Sequence, residues 1–460
     1  MERSTARPLA VLTSLFFLWG FITVLNDVLV PHWKQVFDLS YAQSLLVQFC
    51  FFGAYFIGSL VYYRLSITYG DPIARIGYKR GLIFGLSISA LGCALFAPAT
   101  FMHSYAAHLA ALFVLGLGFT LLQIAANPFV AIIGPAETAS SRLNLAQAFN
   151  SLGTTLAPLI GGWLIFDQID PSAAVRLPYL GLAGVLLLIA GIVALTALPE
   201  PPQEPDLTNG KALRHPNLRW GMLAIFCYVG AEVAIGSLII SFIGLEGVLG
   251  VGEEDAKHYL SLYWGGAMTG RFLGAIALAQ GWTTFKRISA MAAVGAAMYA
   301  LMIGLNAGSI VDHSTAWPLV FLILLNMAAF ILAGSKPSRV LGIFALVAMA
   351  LLGIVITGES PLALWAIIAV GLFNSIMWSN IFTLAIAGLG SDTAQGSSLL
   401  VMMIVGGALL PPLQGVVIDL LDADRSTTVG FHLSFALPLL CYAFIAWYGF
   451  KGSSIQQQEA

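Results

Sequence analysis

Along this chain, runs of about twenty apolar residues recur, each closed off by a short polar turn. Runs of that length cross the hydrocarbon core of a bilayer as helices, because a helix satisfies its backbone hydrogen bonds internally. They cover residues 9–31, 41–64, 80–99, 104–133, 142–166 and 178–198. The polar, proline-rich stretch PEPPQEPDLTNGKALRHPN follows at 199–217 and reads as a linker. Further runs cover 218–245, 257–280, 287–307, 316–334, 339–357, 361–388, 395–420 and 429–450. The expectation is an all-α membrane protein: a six-helix bundle at 1–198, a cytoplasmic linker at 199–217, and a C-terminal unit at 218–460.

Charge supports this. Only 9% of the residues are charged and 59% are hydrophobic, against about 25% charged in soluble domains. With the N-terminus inside, sixteen of the twenty Lys and Arg residues fall on the inner side. Lys34, Arg176, Lys257 and Arg425 alone fall outside. Such a bias places both termini in the cytoplasm, and the expected location is a bacterial inner membrane. An odd error in the helix count would scramble it. The net charge of −2, with no Lys/Arg-rich tract, argues against nucleic-acid binding. Cys50, Cys93, Cys227 and Cys441 sit in apolar runs and read as small core residues rather than metal ligands or disulfides. The first run lacks a small-residue cleavage site and reads as a retained helix. No HExxH, GxSxG, P-loop or His/Cys cluster suggests an enzyme, and no cofactor is expected.

Polar residues inside the runs mark the site. Asp27, in FITVLNDVLVPHWK, and Glu232, in FCYVGAEVAIGSL, are acids well within spans. Glu232 follows Arg219 by 13 residues, about 20 Å of helix, so it lies near mid-membrane. No Lys, Arg or His is clearly placed at mid-span to pair with either acid. A carboxyl group in that position can take up and release a proton or bind Na⁺. Both are therefore candidate cation-coupling residues. Gln123 and Asn127 stand one turn apart on the fourth run; Asn144, Gln147, Asn150 and Thr154 line one stripe of the fifth. Asn26, Gln48, Asn374 and Asn380 add further amides. An amide both donates and accepts, which suits the hydroxyls of a sugar, although a few such residues would also serve as interhelical ties. Trp264 and Trp378 offer aromatic faces for stacking on a sugar ring.

A faint repeat relates the two parts. GFTLLQIAANPF and GLFNSIMWSNIF both place Gly nine residues before Asn and Phe two after it. Asn127 precedes Pro158 by 31 residues and Asn380 precedes Pro412 by 32. Two parallel bundles related by an axis along the membrane normal produce such a pattern, as in the major facilitator superfamily.

The stretches FFLWGFITVLND, LLQIAANPFVAIIGP, RLNLAQAFNSLGTTLAP and FCYVGA resemble the fucose:proton symporter family of that superfamily, which includes glucose/galactose transporters. The resemblance implies a proton-linked hexose symporter that works by alternating access; the alternatives are a sodium-coupled sugar symporter and an uncoupled facilitator, and a monomer is expected. It matches Asp27 to the family's aspartate in helix 1, used in proton coupling and sugar handling. Gln147 and Asn150 match polar residues of the sugar cavity, and Trp378 falls where the fucose carrier has a pocket tyrosine. Two departures stand out. Gln123 replaces a glutamate of the fucose carriers, while Glu232 stands where they have an amide. The second is an insertion at about 282–338, whose two apolar runs form a hairpin between helices 8 and 9 of the family core. The loop YGDPIARIGYKR partly resembles the superfamily loop between helices 2 and 3, which makes Asp71, Arg75, Lys79 and Arg80 candidate gating residues.

Overall fold

The computed structural model describes residues 3–457 apart from 70–71, 133–138, 167–173, 199–211, 278–281, 335, 359–360, 388, 390–392 and 423–427. Among the described residues every regular element is helical. In the first half these are α1 (Arg3–Val36), α2 (Tyr41–Ser44, continued by Leu46–Tyr69), α3 (Tyr78–Ala94, continued by Phe96–Phe101), α4 (Tyr105–Ile132), α5 (Ala139–Phe166) and α6 (Arg176–Leu195). The second half has α7 (Pro216–Ile243), α8 (Glu253–Ala277), α9 (Thr284–Leu305), α10 (Pro318–Ala333) and α11 (Pro337–Thr357). It continues with α12 (Pro361–Asn374 and Met377–Ile386), α13 (Thr393–Met402 and Gly406–Leu421, joined by a 3₁₀ turn) and α14 (Val429–Ser434 and Ala436–Phe450). Eleven of the described helices are long and apolar enough to cross a membrane; α10 is apolar but shorter. The two long helices outside that set, α5 and α8, are rich in polar residues.

Helices pair in the same way in both halves. α1 packs along α5, as α7 packs along α13. Glycines make these seams tight. A Cβ on Gly153 of α5 would stand 2.1 Å from the Phe17 carbonyl of α1, and one on Gly406 of α13 would stand 2.0 Å from the Phe226 carbonyl of α7. α3 packs on α6 and α11 on α14 in the same matched fashion. Prolines lie inside both partner helices, Pro158 in α5 and Pro411 and Pro412 in α13. The hairpin α9–α10 sits against α8 and α12, where the Asn326 amide donates to the Leu372 carbonyl at 3.1 Å.

Chain direction gives the molecule two ends, a linker end at Pro216 and a far end at Val36. At the far end the halves meet. Asp419 of α13 accepts the backbone N–H groups of Tyr41 (3.0 Å) and Ala42 (2.8 Å) at the start of α2. Gln35 donates to Glu253 at 2.6 Å, and the Ser261 hydroxyl donates to the Thr155 carbonyl at 2.9 Å. Lys257, which pairs with Glu254, lies against Gly162.

Candidate functional site

Two polar centres lie between the halves, and the first surrounds Asp27. A long apolar α1 carries this side chain into the interior, where it is 3% exposed. The Gln48 amide donates to its Oδ1 at 3.0 Å and to the Ser237 hydroxyl at 2.8 Å. Ser237 in turn donates to Oδ1 at 3.2 Å, and the Trp264 indole N–H donates to Oδ2 at 3.2 Å. A carboxyl group of the first half is therefore bound by two donors of the second.

The second centre is a cavity of about 720 Å³ that runs from mid-helix to the linker end. Its size lies in the range of small-molecule sites. Gln123, Gln147 and Asn150 line it from the first half, and Glu232, Arg271, Trp378 and Asn380 from the second. Trp19, Phe52, Tyr55 and Tyr228 supply aromatic walls. Such a lining offers hydrogen bonds to hydroxyl groups and flat apolar faces to C–H groups.

Within this cavity Glu232 is not isolated. Tyr228, one turn before it on α7, donates to Oε1 at 2.7 Å, and Arg271 of α8 lies within electrostatic reach. The Arg271 guanidinium also donates to the Ser375 carbonyl at 3.2 Å and to the Ser151 hydroxyl. The Ser375 carbonyl lies at the break in α12, where the helix ladder is interrupted. The expectation that no cation stands near either acid fails here. Arg271 read from the sequence as one of the inner-side charges, yet its long side chain reaches into the cavity from the last turns of α8. Tyr228, Arg271 and, at the Asp27 centre, Ser237 are site residues that sequence reasoning missed. Tyr228 had a usable signal, its position four residues before Glu232.

The other expected site residues scatter. Gln123 and Gln147 reach the cavity, and the Gln123 Oε1 is buried without a hydrogen-bond partner. Asn150 lines it too, but its amide donates to the Phe16 carbonyl at 3.0 Å and so ties α5 to α1. Trp378 stacks on Phe382 and faces the cavity. Gln48 and Trp264 belong to the Asp27 centre rather than to the cavity wall. Asn26 is fully buried off that wall, with both amide atoms unpartnered. Asn374 is a helix tie: it donates to Tyr263 at 2.9 Å and accepts from Tyr442 at 2.6 Å. The Asn127 side chain and Asp71 lie outside the described residues. Arg75 and Arg80 are exposed, Lys79 is half-buried, and none makes an ion pair among the described residues.

Comparison with known proteins gives a consistent result. The Major Facilitator Superfamily model matches residues 11–338. A glucose/galactose transporter of Brucella abortus biovar 1 (strain 9-941) is 43% identical over 462 residues, covering 98% of this chain and 95% of its own. An L-fucose-proton symporter of Escherichia coli (strain K12) is 31% identical, with 96% of this chain and 92% of its own covered. The crystal structure of the transporter FucP in the outward conformation aligns with a TM-score of 0.64 at 31% identity, over 97% of this chain and 99% of that one.

Proposed function

The chain belongs to the major facilitator superfamily, and from that premise we propose that it imports a hexose by proton symport through alternating access. It is a membrane transporter and not an enzyme. The observation that carries the reading is the placement of Asp27. A titratable carboxyl group is bound by both halves at the closed far end, next to an amide- and aromatic-lined cavity that reaches the linker end. In the proposed cycle Asp27 takes a proton from the far side and gives it up toward the cavity. Gln123, Gln147 and Trp378 bind the sugar, with Glu232 and Arg271 as a compensated pair orienting it. The inner-side excess of Lys and Arg supports a cytoplasmic linker end, with the far end facing outward. The names of the relatives, glucose/galactose transporters and a fucose-proton symporter, support a hexose as substrate.

Uptake of a panel of labelled hexoses into proteoliposomes under imposed gradients tests this. Accumulation above equilibrium under a proton gradient is the expected result. Accumulation under a sodium gradient alone would replace the proton by Na⁺. Equilibration without accumulation under either would make the protein a facilitator and overturn the proposal.

A further inference from the structure

Resting on the symport reading, we propose that Ser237 and Trp264 are positioning residues that make proton release from Asp27 depend on closure of the far end. A carboxylate in an apolar interior is stable only when donors meet its oxygens. The first half supplies one, the Gln48 amide on Oδ1. The second half supplies the other two, the Ser237 hydroxyl on Oδ1 and the Trp264 indole on Oδ2. Among the described residues, Oδ2 is thus served by the second half alone.

Local geometry sharpens this dependence. Gln48 also donates to the Ser237 oxygen, which occupies a lone pair there and turns the hydroxyl proton onto Asp27. α7 comes this near because Gly236 precedes Ser237. A Cβ at Gly236 would stand 3.2 Å from both the Asp27 Oδ2 and the Trp264 ring. The acidic and basic side chains on the packed elements are Arg219 and Glu232 on α7 and Glu253, Glu254, Asp255, Lys257, His258 and Arg271 on α8. Glu232 acts on Asp27 only through space, and its charge faces that of Arg271.

The direction of the cycle follows. When the far end opens, α1 and α2 part from α7 and α8, and Asp27 keeps Gln48 alone. Facing water, the carboxylate exchanges the Ser237 and Trp264 donors for solvent and takes a proton from the water of the far side onto an oxygen. On closure the Ser237 O–H and Trp264 N–H return, the Asp27 O–H bond breaks, and the proton passes to water toward the cavity. The anion left behind accepts the two donors.

Ser237→Ala and Trp264→Phe each delete one donor. A hydrogen bond to a charged group is lost in each, so proton-driven accumulation of the wild type's sugar should fall about tenfold. Exchange of labelled for unlabelled sugar across the membrane needs no proton release and should stay near wild type. Ser237→Thr keeps the hydroxyl and should restore accumulation. Parallel loss of accumulation and exchange, or loss of neither, overturns the proposal. Should wild type accumulate no hexose under a proton gradient, the symport reading itself fails, which is a different result from variants that match it.

Discussion

Asp27 and Glu232 are both buried acids, yet their surroundings differ in kind. Among the described residues Asp27 receives only neutral donors, whereas Glu232 has the Arg271 guanidinium within reach. Asp27→Asn keeps the shape of the side chain and removes titration, so it should abolish uphill uptake while sugar exchange continues. Wild-type accumulation by this variant would remove Asp27 from the coupling step. Glu232→Gln should retain coupling and weaken sugar affinity, because Arg271 loses its counter-charge. A changed cation dependence would instead make Glu232 a carrier of the cation. Gln147→Ala should raise the half-saturation concentration by a factor corresponding to about 1–3 kcal/mol if its amide meets the ligand. The acids were legible in the sequence because charge inside an apolar run is conspicuous. Arg271 was not, since an arginine six residues from a helix end looks like an ordinary inner-side charge. Nor was the Trp264–Asp27 bond, which joins residues 237 apart and depends on how the halves dock.

At the level of elements, the helices themselves were readable because the bilayer fixes their length and demands closed hydrogen bonding within each. The break in α12 at Ser375 was not, since no proline marks it in FNSIMWSN. Asn150 shows the same limit, because its stripe on α5 gave no sign that its amide also donates to the Phe16 carbonyl of α1. The α1–α5 seam depends on Gly153, where a methyl group would overlap the Phe17 carbonyl. Gly153→Ala should therefore lower the unfolding temperature of the purified protein, with a loss of about 1–3 kcal/mol from forced separation of the helices. An unchanged melting curve would mean that the seam is not tight. Asn150→Ala should act in the same direction, through lost hydrogen bonding to Phe16 rather than through affinity.

For the whole molecule, the far end is the part that must open and close. Glu253, half-buried at that end beside Gln35, is pushed up to about 7 by burial, which the nearby Lys34 charge offsets in part. An opening that exposes this group to water would return it toward its ordinary value of 4.5. Closure therefore binds a proton that the open state does not hold. The contribution to closure is complete below the open-state value and is lost as pH rises through about 7. In an Asp27→Asn background, which removes the opposing titration of Asp27, distances between spin labels placed across the far end should shorten on acidification over that window, and Glu253→Gln should flatten the response. An Asp27→Asn protein insensitive to pH would refute the assignment. One further consequence follows from the clasp at Asp27. If a single neutral-surrounded carboxyl group is bound by both halves, one elementary charge accompanies each sugar. The thermodynamic ceiling is then set by stoichiometry: a membrane potential of 100 mV supplies about 2.3 kcal/mol per charge, enough for roughly a fiftyfold concentration ratio and no more.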